Sequence, residues 1–360
     1  MTGKIKVGLL MALQAPASSE LSSPEIFSSV PRLAEMLESH GFDSMFFTEH
    51  HGSDLNEVPS PFIASAAAAA TTDKLRIGSA VALPAFYNPV RLAEDVTTLD
   101  NLSNGRVTVG VGMGYRQAEF DSFGVNAKFK VSHLIESVEI LQRALRGEVF
   151  DFEGRVHSLR GVKVRPTAVQ PTVPIWMGAQ KRPGLTRAGN LGLSLPLSGA
   201  PIQIAAKQRK IYLEALAEGG FAHDSVEYPI VRECFCAPTD DEAWATAAPF
   251  LSMLFAEYSQ FIKLPSVASD GSYRTDAGAI ATDYDALREF GRDRMLIGSP
   301  ETLIREFARH QEHLPCDHWI LRMHFPGMPI NTLAQSIDLF SAEVLPEITG
   351  STGQKPFHLT

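Results

Sequence analysis

The sequence has few cysteines and no long apolar or basic run, and these absences exclude several classes of protein. Only 3 cysteines occur among the 360 residues, too few for the disulfide framework of a small secreted domain. The charges are interspersed, the net charge is -9 at pH 7, and no basic block predicts a nucleic-acid partner. No apolar run approaches the roughly 18 residues of a membrane span. The sequence therefore predicts a globular protein that binds neither nucleic acid nor membrane.

The first residues of the chain raise the question of a secretory signal. Lys4 and Lys6 precede a short apolar run at 7–13, and Ala15-Pro16-Ala17 follows it. This run is at the short end for the apolar part of a signal peptide, whereas its length suits a buried strand. We interpret it as the first strand of the fold and expect a cytoplasmic protein.

Strand and helix patterns alternate along almost the whole chain. The predicted strands are 5–12, 44–48, 75–83, 106–111, 175–178, 193–197, 228–236 and 318–324. The predicted helices are 22–41, 61–71, 89–102, 131–145, 185–191, 202–218, 240–261, 302–310 and 333–344. Eight strands that alternate with helices predict an α/β fold, namely a TIM (β/α)8 barrel formed by one domain over residues 1–360.

Two stretches interrupt this alternation. Residues 149–173 have short apolar and β-branched runs that predict a small β excursion from the barrel. Residues 263–285 are polar and rich in glycine, serine, alanine and aspartate, and they are too many for a connector in a compact barrel. We interpret this second insertion as a mobile lid after strand seven, over the catalytic face.

A polar, titratable cluster follows the second predicted strand. Thr48, Glu49, His50 and His51 come directly after the apolar run at 44–47. Barrels carry their chemistry at the carboxyl ends of their strands, although a histidine pair alone is often only a satisfied polar group. The residues predicted to share this face follow the other strands, at 84–88, 112–115, 179–182, 198–199, 237 and 324.

One of these positions predicts an anion site. Lys181 and Arg182 lie between a predicted strand and a helix that is predicted to begin near Gly184. Two cations beside the free N–H groups of a helix N-terminus favour a phosphate group. The alternative is a pair of solvated basic residues beside a proline.

The glycines that end strand four predict a flat ligand. Gly110, Gly112 and Gly114 carry no side chains, so a planar ring has room to lie against the backbone. They do not form the dinucleotide fingerprint Gly-x-Gly-x-x-Gly, because Tyr115 and Gln117 occupy the positions that require its third glycine.

Metal and nucleophile chemistry are both disfavoured. His310, His313, Cys316 and His318 fall close together and are ligand types that zinc accepts. Two of them lie at a helix end on the amino-terminal side of strand eight, where helix C-termini favour histidine and barrels keep their structural residues. We therefore predict no metal site. The sequence also contains no Gly-x-Ser-x-Gly elbow for a nucleophilic serine.

Segments spread over nearly the whole chain share one pattern. They read SPFIA at 60–64, LRIGSAV at 75–81, NPVRLAED at 88–95, LDNLSNGR at 99–106, VGVG at 109–112, PIWMGA at 174–179, IGSPE at 297–301, SIDLF at 336–340 and VLP at 344–346. In this order they closely resemble the bacterial luciferase-like family of flavin-dependent monooxygenases.

The resemblance implies a TIM barrel that binds reduced FMN at the carboxyl face of its strands. The first histidine of the family's Glu-His-His motif corresponds to His50, which is implied to act near the flavin. An imidazole suits this role because it donates to a peroxide oxygen and exchanges a proton with it. The family also has a non-proline cis peptide bond in strand three, and the matching bond is Ala80-Val81.

The resemblance also implies a cofactor site, in which this sequence departs from the family at several positions. The predicted residues are Ala80, Val81, Gly112, Met113, Gly114, Ala179, Gln180, Lys181, Arg182 and Gly184. Met113 stands where members can place a phosphate-binding arginine, and Lys181 and Gly184 stand where they can place serine and threonine. We interpret Lys181 and Arg182 as the source of the charge that is missing at Met113. Gly112 replaces the reactive cysteine of some luciferases, so bioluminescence is not implied.

The activity implied by the resemblance is that of a two-component, FMNH2-dependent monooxygenase. A separate flavin reductase would supply FMNH2, and O2 would be activated as a flavin C4a-hydroperoxide. One oxygen atom would then enter a small organic substrate, by aldehyde oxidation, Baeyer–Villiger oxidation of a ketone, or hydroxylation. By the same resemblance we expect a homodimer.

Two other functions stay open. The first is that of an F420-dependent oxidoreductase of the same superfamily, since the basic residues Lys181 and Arg182 suit the longer anionic tail of F420. The second is that of a non-catalytic flavin-binding subunit, against which the presence of His50 argues.

Overall fold

A parallel sheet covered by helices forms the centre of the computed structural model, which describes residues 4–261, 266–267, 273–274 and 284–350. The strands are β1 Lys6–Met11, β2 Ser44–Phe47, β3 Arg76–Ala82, β4 Val107–Val111, β5 Val149–Glu153, β6 Ser158–Lys163, β7 Ile175–Met177, β8 Pro229–Cys236, β9 Ser266–Val267, β10 Tyr273–Arg274, β11 Leu296–Gly298 and β12 His318–Arg322. The helices are α1 Ser23–Ser28, α2 Val30–Ser39, α3 Pro61–Ala69, α4 Pro89–Leu102, α5 Gln117–Ser122, α6 Lys130–Leu145, α7 Arg182–Asn190, α8 Ile202–Glu218, α9 Asp240–Phe261, α10 Tyr284–Gly291, α11 Pro300–His313, α12 Ile330–Leu339 and α13 Leu345–Thr349. A π-helical turn, Phe340–Val344, connects the last two helices.

The central sheet has the order β11-β8-β12-β1-β2-β3-β4-β7, and its neighbouring strands are parallel. Residues 194–197 lie between strands β7 and β8, because single parallel bridges pair Trp176 of β7 with Ser194 and Leu197 with Ile230 of β8. Eight parallel segments are therefore joined in sequence order, and the predicted α/β architecture is confirmed. All eight end at the same face.

An apolar cluster fills the centre of the sheet's inner side. Leu10, Phe46, Trp176 and Ile320 are at most 5% exposed and pack against one another. They come from strands that are not all neighbours, which is the packing expected when alternate residues of each strand point inward. The residues that alternate with them along each strand contribute to the larger core beneath the helices.

A carboxylate connects three strands at the amino-terminal end of the sheet. Glu227 accepts hydrogen bonds from Lys6 Nζ at 2.9 Å, from Arg76 Nη1 at 2.7 Å and from Trp176 Nε1 at 3.0 Å. Burial acts to raise the pKa of Glu227, but the hydrogen bond and the charge of Arg76, then those of Lys6, outweigh burial and hold the pKa well below its usual range. This end of the sheet is therefore closed by a paired ionic group.

Two elements that were predicted as continuous are interrupted in the structure. The segment predicted as strand six, 193–197, forms only single bridges at Ser194 and Leu197. The helix predicted over 22–41 is divided into α1 and α2, and Pro31 lies in the first turn of α2. A proline has no N–H for the hydrogen bond that would continue the first helix, so a second helix starts there.

Several short elements were not predicted as such, among them β11, α5 and α10. Strand β11 pairs with the last residues of β8, Cys234 to Cys236, and so extends the sheet beyond the eight predicted strands. Helix α5 follows strand β4 directly, and helix α10 precedes β11. Each is eight residues long or shorter, too short for a periodic sequence pattern to identify it.

The predicted β excursion is confirmed, whereas the predicted lid lies almost wholly outside the described residues. Strands β5 and β6 pair in an antiparallel hairpin. Of residues 263–285, the structure describes 266–267 and 273–274, which pair as the antiparallel strands β9 and β10, and 284–285, which begin helix α10.

The described helices include none that is both long and apolar enough to cross a membrane. The three cysteines, Cys234, Cys236 and Cys316, are buried and free.

We predict that Glu227→Gln lowers the free energy of unfolding by about 1–3 kcal/mol at pH 7, because Arg76 and Lys6 lose their charged partner. Because the folded-state pKa of Glu227 is lowered, its contribution is fully present above the usual value of 4.5 and is lost as the pH falls towards the folded-state pKa. Urea unfolding at pH 7 and in acid should show a difference between the two proteins that narrows below pH 4.5.

The matched control is Glu153→Gln, which removes a carboxylate paired with Arg160 on the surface. It should change the free energy of unfolding by less than about 0.5 kcal/mol. Equal effects of the two substitutions would mean that the Glu227 cluster has no special role.

Candidate active site

One buried carboxylate orients both histidines that follow strand β2. Glu119, on helix α5, is 1% exposed. Its Oε1 lies 2.9 Å from His50 Nδ1 and accepts the backbone N–H of His51 at 3.0 Å. Because a carboxylate only accepts, His50 carries its proton on Nδ1, and Nε2 is the other ring nitrogen. The hydroxyl of Tyr115 lies 3.3 Å from Nε2.

A second buried carboxylate, Glu49, holds the chain that follows strand β3. Its Oε2 accepts the N–H of Leu83 and the hydroxyl of Tyr87, each at 3.0 Å, and its Oε1 lies 2.8 Å from His51 Nε2. Burial raises the pKa of Glu49, although these hydrogen bonds act in the opposite direction. Glu49 thus connects the histidine pair to the end of the neighbouring strand.

A chain of hydrogen bonds crosses the face from strand β12 to the segment after strand β4. Arg322 Nη2 donates to Gln14 Oε1 at 2.8 Å, and Gln14 Nε2 donates to Glu57 Oε1 at 2.7 Å. Arg116 Nη1 donates to the other oxygen of Glu57 at 2.8 Å. Burial acts to raise the pKa of Glu57, but the electrostatic effects of His50 and then of Arg116 and Arg322 outweigh burial and lower it.

Helix α9 contacts both ends of this hydrogen-bonded chain. Arg322 Nη1 donates to the hydroxyl of Tyr258. The guanidinium of Arg116 lies 4.9 Å from the ring of Phe261, and its Nη2 lies 3.6 Å from Glu257. The position of the last turns of α9 is therefore coupled to the polar groups beside His50.

The Ala80-Val81 peptide bond is cis, as the family resemblance implied. The register between β3 and β4 shifts between Ser79 and Ala82, at the same place. Val81 is half-buried, and its side chain lies against Gly112 and Gly178, the glycines that end two neighbouring strands.

The glycines at the end of strand β4 have a packing role. A Cβ at Gly112 would lie 2.5 Å from Val81 Cγ2, and one at Gly110 would lie 2.4 Å from the carbonyl oxygen of Ser79. Protein atoms therefore fill the space that a side chain would take, so these glycines permit close strand packing. Their contact with a planar ligand stays a prediction.

Lys181 and Arg182 stand at the start of helix α7, which begins two residues earlier than predicted. Lys181 is the N-cap residue but makes no capping hydrogen bond with its side chain, and both residues are exposed. Gly184 permits the helix to approach the end of strand β7, since a Cβ there would lie 2.8 Å from Ala179 Cβ. Gln180 is held by its carbonyl, which accepts from Gln208 Nε2 at 2.8 Å.

The four residues weighed as zinc ligands make other contacts. His310 Nδ1 and His313 Nδ1 each lie 2.9 Å from a backbone carbonyl of their own helix. His318 Nε2 lies 2.8 Å from Ser44 Oγ inside the sheet. Within the ranges that the structure describes, no group of three histidine, cysteine or acidic residues is placed to hold a metal ion.

Several buried polar atoms at the carboxyl face have no hydrogen-bond partner within residues 4–261 and 284–350. They are Thr48 Oγ1, Arg116 Nε, Glu119 Oε2, Arg322 Nε and His324 Nδ1. Because buried polar groups normally have partners, this set of donors and acceptors suits a ligand with alternating polar atoms. A flavin or deazaflavin ring, with ring nitrogens and carbonyl oxygens along one edge, fits that requirement.

Sequence reasoning missed several of these residues. Glu57, Glu119 and Gln14 were not singled out, because each lies between the predicted strands and helices, in a stretch without a motif. Arg322 offered a usable signal, since a charged residue within the apolar strand 318–324 is expected to have a functional or ionic partner. Arg116 offered another, because it follows Tyr115 directly at a strand end.

Comparison with known proteins finds similarity to monooxygenases. A family model described as luciferase-like monooxygenase matches residues 7–315. The limonene 1,2-monooxygenase of Rhodococcus erythropolis is 25% identical over 90% of this chain and 82% of its own length. The monooxygenase RslO1 of Streptomyces bottropensis has a solved structure that is 25% identical, with a TM-score of 0.79 over 95% of this chain and 99% of that one.

Two further solved structures share the fold. The oxygenating constituent of 3,6-diketocamphane monooxygenase from Pseudomonas putida, in complex with FMN, has a TM-score of 0.77 at 21% identity and covers 96% of this chain and 99% of its own. An F420-dependent secondary alcohol dehydrogenase has a TM-score of 0.73 at 21% identity, with the same coverage.

We predict that Glu49→Gln loosens the segment after strand β3. A neutral amide oxygen accepts more weakly than a carboxylate oxygen, so the hydrogen bonds from the Leu83 N–H and the Tyr87 hydroxyl to this position weaken, while the amide NH2 group faces His51 Nε2. We expect a loss of about 1–3 kcal/mol in the free energy of unfolding, and faster hydrogen exchange in a peptide that contains Leu83. Mass spectrometry of exchanged peptides measures this directly.

The control is Glu94→Gln, which alters an exposed pair with Arg91 on helix α4. Its exchange pattern should match that of the wild-type protein. Unchanged protection at Leu83 in Glu49→Gln would show that Glu49 does not hold this segment.

Proposed function

The chain belongs to the luciferase-like monooxygenase family, and we propose that it is a two-component monooxygenase that uses FMNH2 and O2 to oxygenate a small organic substrate. The family and the enzymatic character predicted from the sequence are confirmed by the family match and by relatives named as monooxygenases. The observation that carries the proposal is the pairing of His50 Nδ1 with the buried Glu119 at 2.9 Å, at the face where the strands end.

The contact between His50 and Glu119 supports a role of His50 in proton transfer. With Nδ1–H donated to Glu119, the Nε2 atom is the one left to exchange a proton with a reacting group. Glu119 also accepts the N–H of His51, so the backbone beside the imidazole is held by the same carboxylate. Reduced FMN, when bound, would supply the two electrons that activate O2.

The surroundings of His50 support a site protected from bulk water. The imidazole is 12% exposed, and Tyr115 packs edge-on against it with ring centroids 5.5 Å apart. Exclusion of water limits the wasteful decay of reactive oxygen species. We propose that residues 263–285 act as the lid that completes this protection.

We propose that the flavin ring lies beside Ala80, Val81, Gly112, Met113 and Gly114. The cis bond at Ala80-Val81 and the half-buried Met113 support this placement, because the first lies in the last residues of β3 and the second follows β4. The phosphate is assigned to Lys181 and Arg182, together with Ala179, Gln180 and Gly184 around the start of α7. Their exposed cationic groups stand at the first turn of the nine-residue helix α7, where the helix dipole favours an anion.

A separate flavin reductase, a homodimer and a cytoplasmic location are also proposals. The dimer is supported by two apolar side chains on helices α3 and α4 that are unusually exposed, Ile63 at 74% and Leu102 at 66%. Apolar patches of this kind often lie in protein interfaces.

The second candidate is an F420-dependent oxidoreductase, which a similarity of fold and the basic pair beside α7 support. The F420-dependent secondary alcohol dehydrogenase shares the fold over 96% of this chain, and Lys181 and Arg182 suit an anionic tail. This enzyme would transfer hydride and would not need O2. We favour FMN because the relatives that match in sequence are named as monooxygenases.

We predict that the protein, loaded anaerobically with photoreduced FMN and mixed with oxygenated buffer, forms a long-lived absorbing species distinct from reduced and oxidised flavin. His50→Ala should shorten its lifetime at least about tenfold, because the imidazole no longer holds a proton at the reacting oxygen. Stopped-flow spectroscopy of the flavin measures both.

The control is His313→Ala, which alters an exposed histidine on α11 and should leave the lifetime unchanged. Direct return to oxidised FMN in the wild-type protein, together with turnover of F420, would contradict the monooxygenase proposal. An unchanged lifetime in His50→Ala would remove the role assigned to His50.

We predict that Lys181→Ala with Arg182→Ala weakens FMN binding by about tenfold or more and leaves riboflavin binding nearly unchanged, because only FMN has the phosphate. Fluorescence titration with each flavin measures the two dissociation constants. Lys74→Ala with Lys163→Ala, which removes two exposed charges elsewhere, serves as the control. An equal loss for both flavins would place the phosphate at other residues.

A further inference from the structure

One short segment of the chain contacts both ring nitrogens of His50. Glu119, on helix α5, accepts from Nδ1 at 2.9 Å, and the hydroxyl of Tyr115 lies 3.3 Å from Nε2. Because Nδ1 carries the proton, Nε2 is an acceptor and the Tyr115 hydroxyl is the donor. The imidazole is therefore held at both nitrogens by residues of the segment that follows strand β4.

The position of Tyr115 is set by the backbone and by two neighbouring rings. Gly114 has a φ of 72°, in the left-handed region that favours glycine, so the chain turns directly before Tyr115. The Tyr115 ring packs edge-on against His50, with centroids 5.5 Å apart, and lies 6.3 Å from the ring of Phe261 on helix α9. These contacts limit the positions that the hydroxyl can take.

The Tyr115 hydroxyl occupies the nitrogen through which His50 would exchange a proton. A neutral imidazole has one acceptor nitrogen, so Nε2 accepts no second hydrogen bond while it accepts from Tyr115. Tyr115 is also the more accessible residue, at 38% exposed, whereas the His50 side chain is 12% exposed. A group that approaches His50 therefore meets this hydroxyl at Nε2.

The chemistry of a phenol hydroxyl suits a residue that passes a proton on. The oxygen accepts a hydrogen bond while its own O–H donates one, so Tyr115 can contact His50 and a reacting group at the same time. Glu119 stabilises the positive imidazole ring that forms when Nε2 gains a proton. Catalytic hydrogen bonds are often as long as 3.3 Å before the ligand binds.

We propose that Tyr115 is a second catalytic residue, which passes a proton between His50 Nε2 and the reacting group; this inference rests on the proposed function. When His50 acts as the base, the Tyr115 proton moves to Nε2 while the proton of the reacting group moves to the Tyr115 oxygen. One O–H bond of Tyr115 breaks and another forms, so Tyr115 is regenerated and His50 has gained one proton. No electrons are transferred, and the reverse movements return the proton when His50 acts as the acid.

The first test needs no flavin and compares the reactivity of His50 in the wild-type protein and in Tyr115→Phe. The substitution keeps the ring and removes the hydroxyl, so the lone pair of Nε2 becomes free. We expect diethyl pyrocarbonate to modify His50 about threefold faster or more in Tyr115→Phe. Tandem mass spectrometry measures this rate and distinguishes His50 from His51.

The controls for this test are an exposed histidine and an exposed tyrosine. His313 should react at the same rate in both proteins. Tyr284→Phe, which removes a hydroxyl from a residue 52% exposed on α10, should leave the His50 rate unchanged. An equal His50 rate in the wild-type protein and in Tyr115→Phe would overturn the proposal, because the hydroxyl would then not occupy Nε2.

The second test follows the absorbing species formed from photoreduced FMN and O2. Its lifetime should fall at least about tenfold in Tyr115→Phe and stay unchanged in Tyr284→Phe. The double variant His50→Ala with Tyr115→Phe should match His50→Ala alone, because two residues that move the same proton are not additive.

A wild-type lifetime in Tyr115→Phe, or a further shortening in the double variant, would overturn the role of Tyr115 and leave the proposed function intact. A wild-type protein that forms no such species contradicts the proposed function, and the role of Tyr115 with it.

Discussion

The parallel pairing of the central strands is the constraint on which the rest of this structure depends. Parallel neighbours require every connection to cross back over the sheet, so helices cover its outer side and all carboxyl ends meet at one face. The two ends of the sheet then acquire different chemistry. The amino-terminal end is closed by Glu227 with Arg76 and Lys6, while the carboxyl end keeps buried polar atoms that have no partner among the residues the structure describes.

Three buried glutamates organise the carboxyl face, and each connects segments that are distant in sequence. Glu49 connects the histidine pair to the segment after β3, Glu57 connects Gln14 to Arg116, and Glu119 connects α5 to His50. A buried carboxylate is costly without polar partners, so these contacts hold the surrounding segments in one arrangement. The imidazole that we assign to chemistry is thereby oriented before any ligand binds.

Much of the fold was predictable because long elements have a clear periodicity. Helix α9 was predicted with its observed bounds, 240–261, and the hairpin at 149–163 appeared in the pattern of short apolar runs. The predictions failed where a single residue or a neighbouring strand, rather than the periodicity of the segment, determines the secondary structure. Pro31 divides one helix into two, residues 193–197 form only bridges, and β11 exists because β8 offers a free edge.

The sequence by itself determined the alternation of strands and helices, the family, the histidine pair after the second strand and the basic pair beside α7. These features depend on residues close together in the chain, and local periodicity and motifs record them directly. Only the tertiary structure decided which carboxylate faces His50, that Arg116 and Arg322 meet through Glu57 and Gln14, and that Val81 fills the space beside Gly112. Those contacts join residues up to 308 positions apart, and no local pattern in a single sequence specifies a partner at that distance.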